Sequence, residues 1–218
     1  MRNRYEDYLK GKRVALVGPA PTVRTLSQKE HIDSYDVVVR INKALPVPET
    51  LWESCGTKTA VLYNCLDPAS QGVLHIPYLS DTIDWLVCPY PPIHPYKGNI
   101  DRFKRQNDTR VDFCTFPKDY YCELSKAMNT RPNSGVLAIL DILSCNIKEL
   151  YITGITFFQG GYLKEYRTCS EEETFKTMKA HGNHRQEPQI SFLKKTIQDD
   201  KRVKSDVFFA EVLKKHEI

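Results

Sequence analysis

Residues 13–18, RVALVG, form a short apolar run that ends in a glycine and leads into a proline-containing turn. Five further runs of this kind follow, at residues 36–41, 59–63, 84–88, 111–114 and 149–153. Continuous apolar runs without alternating polar residues are typical of strands that are covered on both faces, as in parallel sheets. Because helical patterns separate the runs, the sequence predicts an α/β fold, Rossmann-like, with a mostly parallel twisted sheet and helices on both faces.

Two helices and one loop are predicted in detail. Residues 134–146 carry apolar residues at helical spacing, with Ser134 as the expected N-cap. A final helix is expected from about Pro188 to Gln198, with Pro188 in its first turn. The segment 89–96, PYPPIHPY, predicts an irregular loop, because proline removes amide donors and restricts φ. Whether this loop faces a substrate or only connects two elements stays open.

Length and composition indicate one domain, residues 1–218, with 1–12 as an N-terminal extension. The 218 residues are 41% hydrophobic, which is enough for one substantial core. The net charge of +4, from 31 basic and 27 acidic residues, is too slight to indicate a nucleic-acid-binding protein.

Seven cysteines occur without a Cys-x-x-Cys pair or a zinc-ligand spacing, so we expect free, largely buried thiols and a reducing compartment. The first residues are hydrophilic, and no apolar stretch reaches the ~20 residues that a membrane span needs. These features predict a soluble, cytoplasmic protein without an integral membrane segment. A Golgi-type catalytic domain without its membrane anchor would have the same composition.

The turn after the first apolar run is a candidate ligand-binding turn. Gly18 lets the backbone approach a ligand, and Thr22 lies in the segment that follows. The G-x-G-x-x-G fingerprint of dinucleotide-binding proteins is missing, and on this signal alone a tight strand-to-helix turn is the better explanation of the glycine.

Several spaced motifs together resemble a known family. Residues 13–18, 32–42 and 55–59 resemble the large sialyl motif of animal-type sialyltransferases, glycosyltransferase family 29. Residues 131–136 and 148–155 resemble the small motif of that family. Residues 63–64, 131–136 and 153–158 are also similar to the bacterial sialyltransferases of family 42. The resemblance extends from about residue 13 to residue 198.

This resemblance implies a single glycosyltransferase domain of the GT-A-variant type. The implied donor is a cytidine monophosphate (CMP) linked to an acidic sugar, namely sialic acid, its deaminated relative Kdn, or Kdo. The implied acceptor is a glycan or glycolipid, contacted by variable loops within residues 66–108. No cofactor and no metal ion are implied, and the sequence has no Asp-x-Asp metal signature.

The expected donor-binding residues fall at the ends of strands and at the start of a helix. Asn42 and Asn64 each follow a strand, where a carboxamide can bind a nucleotide or cap a turn. The amides of Ser134 and Gly135 face any anion at the helix N-terminus, and Arg131 adds charge there, unless it only forms a surface salt bridge. By resemblance, the donor site also includes Gly154, Thr156, Phe158 and Tyr162.

Two histidines precede the final predicted helix. An imidazole titrates near neutrality and is suited to proton transfer, although two solvated histidines would look the same. The resemblance identifies His184 as the general base of an inverting displacement, and His181 as an accessory group that contacts phosphate.

The sequence departs from the family patterns at three positions. Pro19 stands where family 42 has a donor-binding asparagine, and Phe158 stands where it has a phosphate-binding tyrosine, a role that Tyr162 is expected to take. Arg13 replaces the family 29 cysteine, so Cys145 lacks the disulfide partner that this family would supply.

Three other functions stay open. The first is a CMP-binding pseudoenzyme or nucleotide-binding module, suggested by the changed donor-site residues. The second is a Rossmann-type oxidoreductase, which the missing glycine fingerprint disfavours. The third is an anionic-surface binder that uses a run of cations, namely Lys194, Lys195, Lys201, Arg202 and Lys204.

Overall fold

The computed structural model of the chain describes residues 2–72, 74–181 and 184–216. The strands in these ranges are β1 (Arg13–Val17), β2 (Val37–Ile41), β3 (Val61–Tyr63), β4 (Trp85–Cys88), β5 (Asp112–Thr115), β6 (Glu149–Thr153) and β7 (Val203–Ser205). They form one sheet in the order β5-β4-β3-β2-β1-β6-β7, and all neighbouring strands are parallel. The α/β fold with a parallel sheet is confirmed.

Alternating residues of the central strands pack into two separate apolar clusters. Val14 and Leu16 of β1 belong to the larger cluster, whereas Ala15 and Val17 belong to the smaller one. Since successive side chains of a strand point to opposite faces, the sheet is buried on both sides. This double burial explains why the strands are continuous apolar runs in the sequence.

Helices cover both faces of the sheet. The α-helices in the described ranges are α1 (Arg2–Leu9), α2 (Lys29–Asp33), α3 (Trp52–Cys55), α4 (Pro68–Gln71), α5 (Ile76–Thr82), α6 (Lys97–Asn107), α7 (Lys118–Ala127), α8 (Ser134–Ser144), α9 (Glu171–His181), α10 (Gln186–Ile197) and α11 (Val207–Lys215). Short 3-10 helices occupy Pro21–Thr25 and Glu49–Leu51.

None of the helices in the described part of the chain combines the length and apolar character that crossing a membrane requires.

Three expectations about these elements need correction, and a fourth is met. The N-cap of α8 is Asn133, whose Oδ1 accepts a hydrogen bond of 2.9 Å from the Val136 amide, while Ser134 is the first helical residue. The helix α10 begins two residues earlier than predicted, and α11 follows it, so α10 is not the final helix. The region 66–108 contains α4, α5, β4 and α6 rather than loops alone. The segment 89–96 is irregular, as predicted.

The N-terminal segment 1–12, predicted as an extension, contributes α1 to the core. Tyr5 and Leu9 are fully buried. The Arg2 guanidinium pairs with both carboxylate oxygens of Asp141 on α8, at 2.9 Å for the Nη1–Oδ2 contact. Helix α1 is therefore attached to the core by apolar packing and to α8 by a largely buried ionic contact.

Candidate active site

A cavity of about 610 Å³ lies at the carboxyl edge of the sheet. Its walls include Pro19 after β1, Asn42 after β2, Ser134 at the start of α8, Gly154 after β6, and His184. Strands β1 to β5 are added in one direction, whereas β6 lies on the other side of β1, so the strand order reverses between β1 and β6. Ligands of open α/β sheets bind at this kind of switch point, and the volume suits a nucleotide-sized ligand.

Two glycines allow the segments after β1 and β6 to touch. A Cβ atom on Gly18 would collide with the carbonyl oxygen of Gly154, and Gly154 itself has a φ of +68°. The Ala20 amide donates a 2.9 Å hydrogen bond to the Gly154 oxygen. Gly18 does not line the cavity but supports its floor through this contact.

We expect Gly18→Ala to lower the free energy of unfolding by about 1–3 kcal/mol, because the new methyl group has no space against the Gly154 backbone. Denaturant unfolding at equilibrium measures the change. The matched control is Gly98→Ala, since a Cβ on Gly98 in α6 meets no atom within 4 Å. Equal stability of the two variants would contradict the close packing.

His184 reaches the cavity with a defined tautomer. Its Nδ1 lies 2.9 Å from the carbonyl oxygen of Arg131. Since a carbonyl oxygen only accepts, Nδ1 carries the proton and Nε2 has a free lone pair. Burial, together with the nearby Arg131 charge, lowers the pKa of His184 to about 4, so the ring is neutral at pH 7.

The backbone around the cavity adopts uncommon conformations. Asn42, Phe157, Phe158 and His184 all have positive φ, between 53° and 71°, and all four line the cavity. Such conformations cost free energy in residues other than glycine and concentrate at functional sites. The surrounding structure therefore has to hold these side chains in place.

The start of α8 supplies positive electrostatic potential to one wall. Asn133, Ser134 and Gly135 all line the cavity, at the positive end of an 11-residue helix. Arg131 lies beside them, with its guanidinium 4.9 Å from the Tyr90 ring and 5.1 Å from the Tyr96 ring. Its Nε is buried and has no hydrogen-bond partner among the described residues. This wall is suited to an anion.

The two strand-end asparagines differ. Asn42 lines the cavity, and its Oδ1 accepts a 3.1 Å hydrogen bond from the Cys65 amide. Asn64 is fully buried, donates to the Asn42 carbonyl oxygen at 3.2 Å and accepts from the Leu66 amide at 2.7 Å. The structure therefore does not bring Asn64 to the cavity, and its carboxamide caps a turn. Thr22 also lies away from the lining, with its buried Oγ1 unpartnered among the described residues.

The segment after β6 forms the aromatic side of the cavity. Thr156 donates to the Gln159 carbonyl oxygen at 2.6 Å, and the Phe158 ring lies 6.4 Å from the His184 ring. Burial raises the pKa of Tyr162 to about 12, so its hydroxyl keeps its proton at pH 7. His181 ends α9, but its side chain lies outside the described residues.

Sequence reasoning missed several lining residues. Arg167 lies 5.0 Å from the Tyr162 ring and adds a second cation. Tyr90, Pro95 and Tyr96 bring the loop 89–96 into the wall of the cavity. The position of the loop after β4, at the carboxyl edge of the sheet, was the available signal. In the described part of the chain, no group of three or more His, Cys, Asp or Glu side chains is arranged to hold a metal ion.

Comparisons with known proteins identify the fold. No protein-family model and no curated protein matches the sequence. The sialyltransferase CstII from Campylobacter jejuni, solved with cytidine-5'-monophosphate, is 16% identical, with a TM-score of 0.58 over 90% of this chain and 80% of its own. A mammalian sialyltransferase is 15% identical, with a TM-score of 0.57 over 94% of this chain and 77% of its own.

A third solved structure is similar to this chain in the same way. The monofunctional alpha-2,3-sialyltransferase Cst-I from Campylobacter jejuni is 16% identical, with a TM-score of 0.56 over 89% of this chain and 75% of its own. At these identities the likeness establishes the fold and not the activity. Over most of its length, the chain has the fold of the sialyltransferases.

Proposed function

We propose that this chain is a sialyltransferase-like glycosyltransferase that moves an acidic keto-sugar from a CMP donor to a glycan hydroxyl. The observation that carries the proposal is His184, which lines the same cavity as the α8 N-terminus and whose Nδ1 hydrogen bond leaves Nε2 as the unprotonated ring nitrogen. A general base requires such a lone pair next to the bound substrate. One sialyltransferase with this fold, CstII, was solved with bound CMP, and this supports the choice of donor.

The charge of the cavity matches the proposed donor. A CMP-linked acidic sugar carries one negative charge on its phosphate and one on its carboxylate. The cavity offers the N-terminus of α8, Arg131 and Arg167 as positive groups. Helix N-termini and guanidinium groups are the common protein partners of both anions.

The reaction is a direct displacement at the anomeric carbon. Nε2 of His184 takes the proton of the acceptor hydroxyl, and the acceptor oxygen forms the new bond to the anomeric carbon. The bond from this carbon to the phosphate oxygen breaks, and CMP leaves with the electron pair. Attack and departure occur on opposite faces, so the configuration inverts. The α8 amides and the Tyr162 hydroxyl stabilise the negative charge on the departing phosphate.

The direct test is CMP release from CMP-sialic acid, CMP-Kdn and CMP-Kdo, with and without a glycan acceptor. We expect turnover of at least one donor, and equal rates with and without a chelator, because the leaving monophosphate is stabilised by protein groups alone. Turnover that stops in chelator and returns with a divalent cation would contradict metal independence. No CMP release from any donor would contradict the transferase itself.

A second candidate is a CMP-binding protein without transfer activity. Two residues of the cavity favour it: Pro19 offers no amide donor, and Phe158 offers no hydroxyl. Binding of CMP without release of CMP from any of the three donors would support this candidate.

The rate should depend on pH through His184. The base acts when neutral, and burial with the Arg131 charge lowers its pKa to about 4. We therefore expect kcat/KM to be level from about pH 8 to about pH 6 and to fall to half near pH 4, as the imidazole gains a proton. Initial rates across this range measure the profile. A half-point near pH 6.5, the usual value for histidine, would mean that the ring is solvated.

A further inference from the structure

One fully buried carboxamide joins two segments that meet at His184, residues 130–133 and residues 184–185. Gln189 lies in α10 and has no solvent exposure. Its Oε1 accepts a 2.8 Å hydrogen bond from the Asn133 amide. Its Nε2 donates a 2.8 Å hydrogen bond to the Arg185 carbonyl oxygen. The side chain therefore accepts a hydrogen bond from a backbone amide of one segment and donates one to a backbone carbonyl oxygen of the other.

These two backbone groups flank the contact that sets the tautomer of His184. Arg185 follows His184 directly, and Asn133 lies two residues after Arg131, whose carbonyl oxygen accepts the Nδ1 proton. A further hydrogen bond of 3.1 Å, from the Arg185 amide to Thr130 Oγ1, joins the same segments.

Helix α10 gives Gln189 a rigid base. The next inward residues, Ile190 and Leu193, have no solvent exposure and belong to the larger apolar cluster. His184 has a φ of 55°, a conformation that costs free energy and persists only when neighbouring contacts hold it. Functional side chains keep their geometry when their supporting hydrogen bonds come from packed elements.

We propose that Gln189 is a positioning residue that holds His184 against the Arg131 carbonyl oxygen and so keeps Nε2 unprotonated and directed to the substrate. The proposal rests on the proposed function for its catalytic consequence. An apolar side chain at position 189 leaves the Asn133 amide without its partner and removes the side-chain hydrogen bond to the Arg185 carbonyl oxygen. The two segments can then separate, and the Nδ1 hydrogen bond that selects the tautomer is lost.

The test compares Gln189→Met with Asn107→Leu, a matched control. Asn107 is also a buried carboxamide that donates once and accepts once, at 2.7 and 3.0 Å, but both its partners are backbone groups of Val111. It does not line the cavity. The readouts are the imidazole nitrogen NMR signals, assigned to His184 with His184→Asn, and the split between kcat and KM.

We expect wild-type protein and Asn107→Leu to show a single Nδ1-protonated form of His184 at neutral pH. Gln189→Met should show a mixture of tautomers and a kcat lower by about 10²-fold, because displacement of a catalytic group by about 1 Å costs this much. The KM for the donor should change far less. A wild-type tautomer together with a wild-type kcat in Gln189→Met would overturn the proposal.

Thr130→Val keeps the proposal testable if Gln189→Met does not fold. It removes only the Oγ1 acceptor of the Arg185 amide, at a half-buried position. We expect a smaller change in the same direction, and a fully wild-type tautomer would then overturn the proposal. The NMR readout needs no donor. A tautomer change in a protein whose wild type releases no CMP would therefore uphold the positioning and reject the transferase.

Discussion

His184→Asn is expected to lower kcat for sugar transfer by a factor of about 10²–10⁴, the usual contribution of a general base. The carboxamide is similar in size but has no basic lone pair at neutral pH. The affinity for CMP should change little, because the proposed phosphate contacts come from the α8 N-terminus and from the arginines. Loss of turnover with retained binding is the signature of a group that acts only in the chemical step.

Single-turnover rates and CMP titrations on the same preparation separate these effects. His31→Asn is a suitable control, since His31 is exposed on α2 and does not line the cavity. A His184→Asn variant with the wild-type kcat would show that another group removes the proton.

Asp141→Ala is expected to lower the free energy of unfolding by about 3–5 kcal/mol. The carboxylate has no solvent exposure and accepts hydrogen bonds from the Tyr63 hydroxyl at 2.6 Å and from the Arg2 guanidinium. The Tyr63 hydroxyl also contacts the Tyr5 hydroxyl, at 3.0 Å. Without the carboxylate, a largely buried guanidinium and a buried phenol lose their acceptor, and α1 loses its ionic attachment to α8.

Equilibrium unfolding in denaturant measures this effect. The control is Asp101→Ala, which removes an exposed ion pair with Lys97 within α6 and should cost much less. A loss as small as that of the control would mean that apolar packing of Tyr5 and Leu9 alone attaches α1.

The sheet was predictable because its strands are buried on both faces. Six of the seven strands in the described ranges appear in the sequence as apolar runs. The exception is β7, which has three residues, VKS, at the edge of the sheet, and none of the three is buried. The N-cap of α8 was predicted one residue late, because Asn133 and Ser134 are both good caps and only the backbone conformation distinguishes them.

The lining of the cavity was predictable where a residue's place in it follows from its position along a strand or helix. Asn42, Arg131 and His184 line one cavity because each lies at the carboxyl edge of the sheet or beside a helix that starts there. The contacts of Gln189 were not predictable, since its partners lie 4 and 56 residues away and depend on how α10 packs. Asn64 shows the converse, because its strand-end position suggested binding and its burial assigns it to a turn.

The run of cations near the C-terminus does not form one binding surface. The Arg202 guanidinium pairs with Asp200 and donates to the carbonyl oxygens of Leu143 and Cys145. The Lys194 ammonium donates to the His216 carbonyl oxygen at 2.7 Å. Two of the five cations thus stabilise the chain itself, which weakens the anionic-surface alternative.

The proposed function requires that the cavity between β1 and β6 binds a cytidine nucleotide without a metal ion. Thermal unfolding with CMP, CDP, UDP and GDP, each in the presence of a chelator, tests it most directly, because a ligand that binds only the folded state raises the melting temperature. We expect a clear increase with CMP and CDP that exceeds the increase with UDP and GDP. A larger increase with UDP or GDP, or no increase with CMP at saturating concentration, would contradict it.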